Sequence, residues 1–251
     1  MVASRRALGG FRVNRSHSKV LVVGLGGLGC PAAWTLALAG VGVLGLCDDD
    51  QVELANLHRQ ILFGVADVGT PKVAAASRSL RALAPSVVLR THPTRLVPET
   101  AIDLVRGYDV VVEGADNFAT KFLTADACAL ARVPVVHGAA VRWVGTVFAV
   151  GMDGRPCYRC LFEDLPTGGS LGCSEAGVMG PMVGVVAAAQ ADLALGVIDG
   201  RDVAGQLVTF NGRTGELRRR TVAARPDCPL CGSRAIHSID EARYALATGA
   251  D

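Results

Sequence analysis

The chain has 251 residues, of which 50% are hydrophobic and 19% charged, with a formal net charge of +2. So few charges in so apolar a chain exclude disorder as its main state, and the length suits one large domain or two small ones. A surplus of two positive charges is too small to make nucleic acid or an anionic membrane the expected partner.

Residues 1–18 read as an N-terminal arm, basic and without an apolar segment before Lys19, so no signal peptide is expected and the location reads as cytoplasmic. From Val20 to Cys47 there is no charged residue. A run of that length can span a bilayer, but seven glycines and Pro31 within it argue against a membrane helix. Gly24, Gly26 and Gly29 form G-x-G-x-x-G. Val20–Val23 before them reads as a buried parallel strand, Cys30–Ala39 after them as a helix, and Val43–Cys47 as a second strand ending on Asp48, Asp49 and Asp50. Strand, glycine turn, helix, strand and acid form a nucleotide-binding βαβ unit.

Further strands are predicted at Val87–Thr91, Val110–Glu113 and Pro134–His137, and helices at Lys72–Leu83, Pro98–Val105 and Thr120–Arg132, with Pro71 suiting a first helical turn. The order gives an α/β fold with a Rossmann-like, doubly wound, mostly parallel sheet. After residue 138 the pattern turns antiparallel, with Val141–Val150, Leu207–Phe210 and Glu216–Thr221 as strands and Asn211-Gly212 and Thr214-Gly215 as turns. Gly177–Leu195 reads as an apolar helix and Glu163–Gly172 as a loop. The expected organisation is the arm, one domain over 19–235 (a nucleotide half 19–138 and a second half 139–235), and a tail over 236–251 with room for a helix.

Four of the eight cysteines form two C-x-x-C pairs, Cys157/Cys160 and Cys228/Cys231. Together they can complete a Cys₄ zinc site that staples two distant segments; a redox dithiol is the alternative. Cys30, Cys47 and Cys128 lie in apolar surroundings and read as inert core residues. Without a secretion signal a disulfide framework is not expected.

Asp48 stands where an acid can hold the ribose of NAD or ATP, so an NAD-dependent oxidoreductase is the plain reading of the glycine motif alone. Asn56, Arg59 and Gln60 follow, and Lys72 opens a helix. Their amide, guanidinium and ammonium groups suggest more phosphate charge than a dinucleotide carries, hence a triphosphate with Mg²⁺. Asp116, in GADN with Asn117, follows a strand at the carboxyl edge where open sheets bind ligands.

These segments resemble the ThiF/MoeB-type adenylyltransferases, bacterial relatives of the ubiquitin-activating enzymes, and the MoeB branch most. The matching stretches are VLVVGLGGLGC at 20–30, DDDQVELANLHRQ at 48–60, GTPK at 69–72, EGADN at 113–117 and VPVVHGAAVRWVG at 133–145. CYRC at 157–160, GCSEAGVMGPMVG at 172–184 and CPLC at 228–231 complete the set in family order. The resemblance implies ATP-dependent adenylation of the C-terminal glycine carboxylate of a small ubiquitin-like sulfur carrier of MoaD/ThiS type ending in Gly-Gly. A separate sulfur donor then displaces AMP to give a thiocarboxylate. By motif position, Gly24, Gly26, Gly27, Gly29 and Asp48 bind adenosine and its phosphates, with Gln60 and Asn117 beside them. Arg59 and Lys72 bind phosphates, Asn56 orients them, and Asp116 holds Mg²⁺. Cys173 is either a carrier-linked thiol or a spare one. His58 and His137 read as packing or hydrogen-bonding residues, because attack by a carboxylate needs no proton removed. A homodimer is implied, but the family's N-terminal arginine, which reaches the neighbouring subunit's ATP, has no counterpart at its usual spacing; Arg5 or Arg6 is the substitute available. The fold and zinc motifs occupy about 20–231, so an appended sulfurtransferase domain is not expected. The competing expectations are the oxidoreductase, a non-catalytic partner subunit, and a relative that adenylates another carboxylate or an amide.

Overall fold

The computed structural model describes residues 14–165, 177–232 and 236–245. Its first half alternates strand and helix: β1 (Lys19–Val23), α1 (Gly29–Leu38), β2 (Val43–Cys47), α2 (Lys72–Leu83), β3 (Val88–His92), α3 (Pro98–Arg106), β4 (Val110–Glu113), α4 (Phe118–Ala131) and β5 (Val135–Val141). The second half holds β6 (Val144–Val150), α5 (Tyr158–Leu161), α6 (Gly180–Ile198), β7 (Gln206–Asn211), β8 (Glu216–Thr221) and α7 (Ala242–Ala245). Among the described residues the strands form one eight-stranded sheet in the order β3-β2-β1-β4-β5-β6-β7-β8. β1 to β5 are mutually parallel, and β5 to β8 are antiparallel neighbours. The chain order 3-2-1-4 places a crossover between β1 and β4, and the carboxyl ends on either side of it form the crevice of a doubly wound sheet.

Two expectations change. The strand expected at Val141–Val150 is two strands, since Val141 and Val144 face each other across a hairpin. Arg142 makes that turn with φ +51°, where glycine or asparagine is the usual signal, so the sequence pattern does not announce it. The short helix α5 inside the first C-x-x-C segment is also new. Other boundaries move by one to four residues, as helix and strand ends commonly do.

Apolar residues alternate between the two sheet faces, so each face has its own core. Val20, Val22, Val110 and Val112 face α1, α2 and α6, whereas Leu21, Val111, Val135 and Phe148 face α3 and α4. Helix α6 is long and apolar enough to cross a membrane, yet half of it is buried within the protein. Gln190, fully buried in its middle, donates Nε2 to the carbonyls of Glu113 (2.8 Å) and Val136 (3.2 Å). A buried amide spent on strand carbonyls fits α6 to this sheet rather than to lipid. Ahead of β1, Arg15 clasps Asp199 at the end of α6 with two bonds of 2.9 and 2.7 Å.

The turn after β1 is the tightest approach in the nucleotide half. Gly24 adopts φ +85°, and a Cβ added at Gly29 would lie 1.8 Å from the Gly24 carbonyl oxygen. Gly29→Ala is therefore expected to lower the stability of the fold by about 3 kcal/mol through overpacking. An unchanged urea midpoint for that variant would show that the turn relaxes freely.

Candidate active site

The carboxyl ends of β1, β2 and β4 open on a cavity of about 560 Å³. Gly24, Gly26, Gly27, Asp48, Asn56, Arg59, Gln60, Lys72, Asp116 and Asn117 all line it. Sequence had assigned Gly29 to the same site. It is buried at the start of α1 and does not line the cavity; its smallness serves the packing of helix against turn. At Gly26, by contrast, a Cβ would meet nothing within 4 Å.

Asp48, at the end of β2, accepts the backbone N–H of Leu25 at 2.6 Å and that of Asp50 at 2.9 Å. It thereby ties the glycine turn to the next strand. Burial pushes its carboxyl up from the ordinary value, against the Lys72 ammonium 3.9 Å away and the two backbone donors. Lys72, nearly buried at the start of α2, is bonded to Asp50 at 2.6 Å. Arg59 donates to Asn56 Oδ1 at 2.7 Å, and Asn56 Nδ2 donates to Glu53 at 2.9 Å. The guanidinium stem rests over Gly27, where a Cβ would stand 3.1 Å from Arg59 Cδ. A relay of this kind fixes a guanidinium in one direction before any anion arrives.

Gln60 is buried and its Oε1 has no hydrogen-bond partner, an acceptor left open on the cavity wall. Asp116 is exposed, and among the described residues no donor pairs with its carboxylate; such an oxygen suits a hard cation such as Mg²⁺. Asn117 has a different task from the expected one, because its side-chain oxygen accepts Thr120 N–H at 2.8 Å and caps α4. Cys173, Arg5 and Arg6 lie outside the described residues.

Below the cavity lies a buried ionic cluster that the motifs did not reveal. Glu113, the last residue of β4, accepts Lys121 Nζ at 2.9 and 3.2 Å, Ala115 N–H at 2.6 Å, and His137 Nδ1 at 3.1 Å. Burial opposes its charge, but Lys121 and His137 outweigh that and hold its carboxyl below the usual range. A second cluster joins Arg159 of α5 to Asp126 of α4 by bonds of 2.8 and 2.9 Å, and Tyr244 of α7 to the same carboxylate at 2.8 Å. The available signal was the pair of charges, Lys121 and Asp126, inside the otherwise apolar stretch FATKFLTADACALA. A charge on a buried helix implies a partner.

The four paired cysteines converge as expected: their sulfurs lie within 4.8 Å of one another. Cys157 and Cys228 stand 3.3 Å apart, Cys160 and Cys231 3.4 Å. These gaps are far beyond the ~2.05 Å of a disulfide and near the ~3.8 Å edge of a tetrahedron with 2.3 Å zinc–sulfur bonds. The backbone N–H of Arg225 also donates to Cys160 Sγ at 3.4 Å, a contact that suits a thiolate. Cys30, Cys47 and Cys128 are buried, and burial pushes all three thiols up, Cys47 to about 12.

A glycine turn, strand-end acids and fixed cations around one crevice define a nucleotide-binding α/β protein. The ThiF family profile matches residues 11–230, and the chain belongs to that family. It is 45% identical over 221 residues to the adenylyltransferase and sulfurtransferase MOCS3 of Mus musculus, covering 86% of this chain and 48% of that protein. It is 42% identical over 224 residues to the sulfur carrier protein adenylyltransferase of Thermus thermophilus, covering 86% of this chain and 83% of the relative. The chain thus spans about half the length of MOCS3 and most of the Thermus protein. Among solved structures, E. coli MccB with MccA-N7isoASN superposes with a TM-score of 0.78 at 22% identity, over 87% of this chain and 68% of that one, a likeness of fold.

Removing one partner from the buried cluster should be costly. Glu113→Ala leaves Lys121 charged and unpaired, and a loss of about 3–5 kcal/mol is expected in urea unfolding at pH 7. Adding Lys121→Met should recover part of it; a Glu113→Ala protein as stable as the parent would contradict the account.

Proposed function

We propose that this chain is an ATP-dependent adenylyltransferase that activates the C-terminal glycine carboxylate of a small ubiquitin-like sulfur carrier as an acyl-adenylate. The observation that carries this reading is the meeting of Arg59, Lys72, Asp48 and Asp116 around one cavity over the glycine turn. The names of the curated relatives support it. A carboxylate attacking the α-phosphorus brings two anions together, so the protein's task is charge neutralisation and alignment. In this reading Asp48 accepts the ribose hydroxyls, and the backbone at Gly24, Gly26 and Gly27 leaves room for the phosphates. Lys72 exchanges its Asp50 partner for phosphate oxygens. Arg59, aimed by Asn56, faces the charge that develops on the α-phosphoryl group. Asp116 holds Mg²⁺, which when bound adds positive charge beside the phosphates. Gln60 offers its open acceptor to a ligand donor. The displaced AMP leaves in a second step, when a sulfur nucleophile from a separate donor takes the acyl group.

The four clustered cysteines are proposed to hold structural zinc, and the chain to pair as a homodimer, with exposed Leu54, Ile61, Val65 and Val68 between β2 and α2 as apolar side chains available for burial.

ATP–pyrophosphate exchange should appear only when a carrier ending in Gly-Gly is supplied. Arg59→Ala and Asp116→Asn should each lower its kcat on the order of 10²–10³-fold. No exchange by metal-replete protein with any such carrier would remove the reading. Metal analysis should separately find about one zinc per chain, with Cys228→Ala strongly destabilised; a stable wild-type protein without zinc would refute that assignment.

A further inference from the structure

Register places His137 of β5 directly beside Glu113 of β4, at the carboxyl edge of the sheet. Glu113 is held ionised by Lys121, and an ionised carboxylate only accepts hydrogen bonds. The 3.1 Å contact from His137 Nδ1 therefore carries the ring proton, and the neutral imidazole keeps a bare lone pair on Nε2. That Nε2 is buried and has no hydrogen-bond partner. The ring lines a second cavity of about 170 Å³, which shares Asp116 and Ala139 with the nucleotide cavity. Its walls are mainly Phe118, Phe148, Tyr158, Leu161 and Phe162. Lys121, also on the wall, is already engaged by Glu113 and by the Gly138 carbonyl at 2.6 Å. A carboxylate–imidazole pair with a free nitrogen, in an apolar recess beside Asp116, is the arrangement of a general base.

The geometry points to His137 as the proton acceptor for the second half of the reaction, in which a thiol displaces AMP from the acyl-adenylate. The inference rests on the proposed adenylation. The first half moves no proton: a carboxylate oxygen bonds to the α-phosphorus and pyrophosphate leaves. The second half does. The sulfur of R–SH bonds to the acyl carbon, the carbon–oxygen bond to AMP breaks, and its electron pair departs on the AMP phosphate. The S–H proton passes to His137 Nε2, and no atom is oxidised or reduced. Glu113 then faces an imidazolium and stabilises it. The aromatic walls suit a neutral thiol and disfavour water, whose attack would waste the adenylate.

The charged and titratable groups around His137 are Glu113 from β4, Lys121 and Asp126 from α4, and Tyr158 from α5, whose ring lies 4.4 Å from the imidazole. Burial holds the imidazole below its ordinary value despite the Glu113 carboxylate, so the base is neutral and available at pH 7.

The test separates the two half-reactions. Adenylate is formed from ATP and a Gly-Gly carrier with pyrophosphatase present; dithiothreitol is then added as the thiol, and AMP release is followed in a single turnover. His137→Gln and His137→Ala should slow this thiolysis on the order of 10²–10⁴-fold, a loss at least about 100-fold greater than their loss in ATP–pyrophosphate exchange. Wild-type thiolysis should vary little between pH 7 and the thiol's own pKa. In the variants only preformed thiolate reacts, so the rate should climb about tenfold per pH unit over that range. Added imidazole should restore part of the rate to His137→Ala. Thermal unfolding and nucleotide binding establish that each variant is folded, and Gln serves where Ala is not. Equal losses in both half-reactions, or a raised KM for the carrier in exchange with thiolysis intact, would overturn the inference and make His137 a structural or tail-binding residue. Wild-type protein that shows no exchange removes the adenylation reading and this inference together.

Discussion

A carboxylate sealed at the end of β4 organises the centre of this molecule. Glu113 has no access to solvent, so its charge persists only because Lys121, His137 and the Ala115 amide all converge on it. Those three groups come from α4, from β5 and from the loop that leads to Asp116. One ionic centre thus sets the distance between helix and sheet and the path of the chain past the nucleotide cavity. Breaking any one contact exposes the others to an uncompensated charge, and the low dielectric that makes the cluster strong makes partial loss expensive. The same centre fixes the proton on His137 Nδ1 and leaves Nε2 open.

The opposite face of the sheet is held by different means. Helix α6 is almost wholly apolar and lies against α1 and the middle strands, with Gln190 as its polar anchor on the carbonyls of Glu113 and Val136. Gly138 makes this possible, since a Cβ there would stand 2.3 Å from the Gln190 side chain. The sheet is thus pinned near Glu113 from both faces, by an ion pair on one and an amide on the other.

Much of this was legible in the sequence because period and punctuation agreed. β2, β4, α2 and β8 fall at their expected bounds, where Cys47-Asp48, Glu113-Gly114, Pro71 and Thr214-Gly215 mark the edges. The cavity residues were readable from spacing, since a glycine turn, a strand-end acid and a helix-opening lysine must lie at one edge of such a sheet. The β5–β6 hairpin was not, because Arg142 takes a left-handed conformation that no local residue advertises. Gly29 shows a further limit: a motif names glycines without saying which one faces the ligand and which one is needed for packing. The Glu113 and Asp126 clusters escaped because their partners are separated in sequence and meet only through the topology.

The cysteine cluster has a consequence for how the molecule comes together. Its sulfurs are split between 157–160 and 228–231, so the site cannot close until α6, β7 and β8 have all been synthesised. The parallel half, whose neighbours lie nearer in the chain, has its strands in hand well before that. Once gathered, the four sulfurs enclose the intervening stretch in a loop, and its ends then separate only if the cluster opens. The site acts as the last fastening of the chain, joining the late antiparallel strands to the already assembled α4 edge.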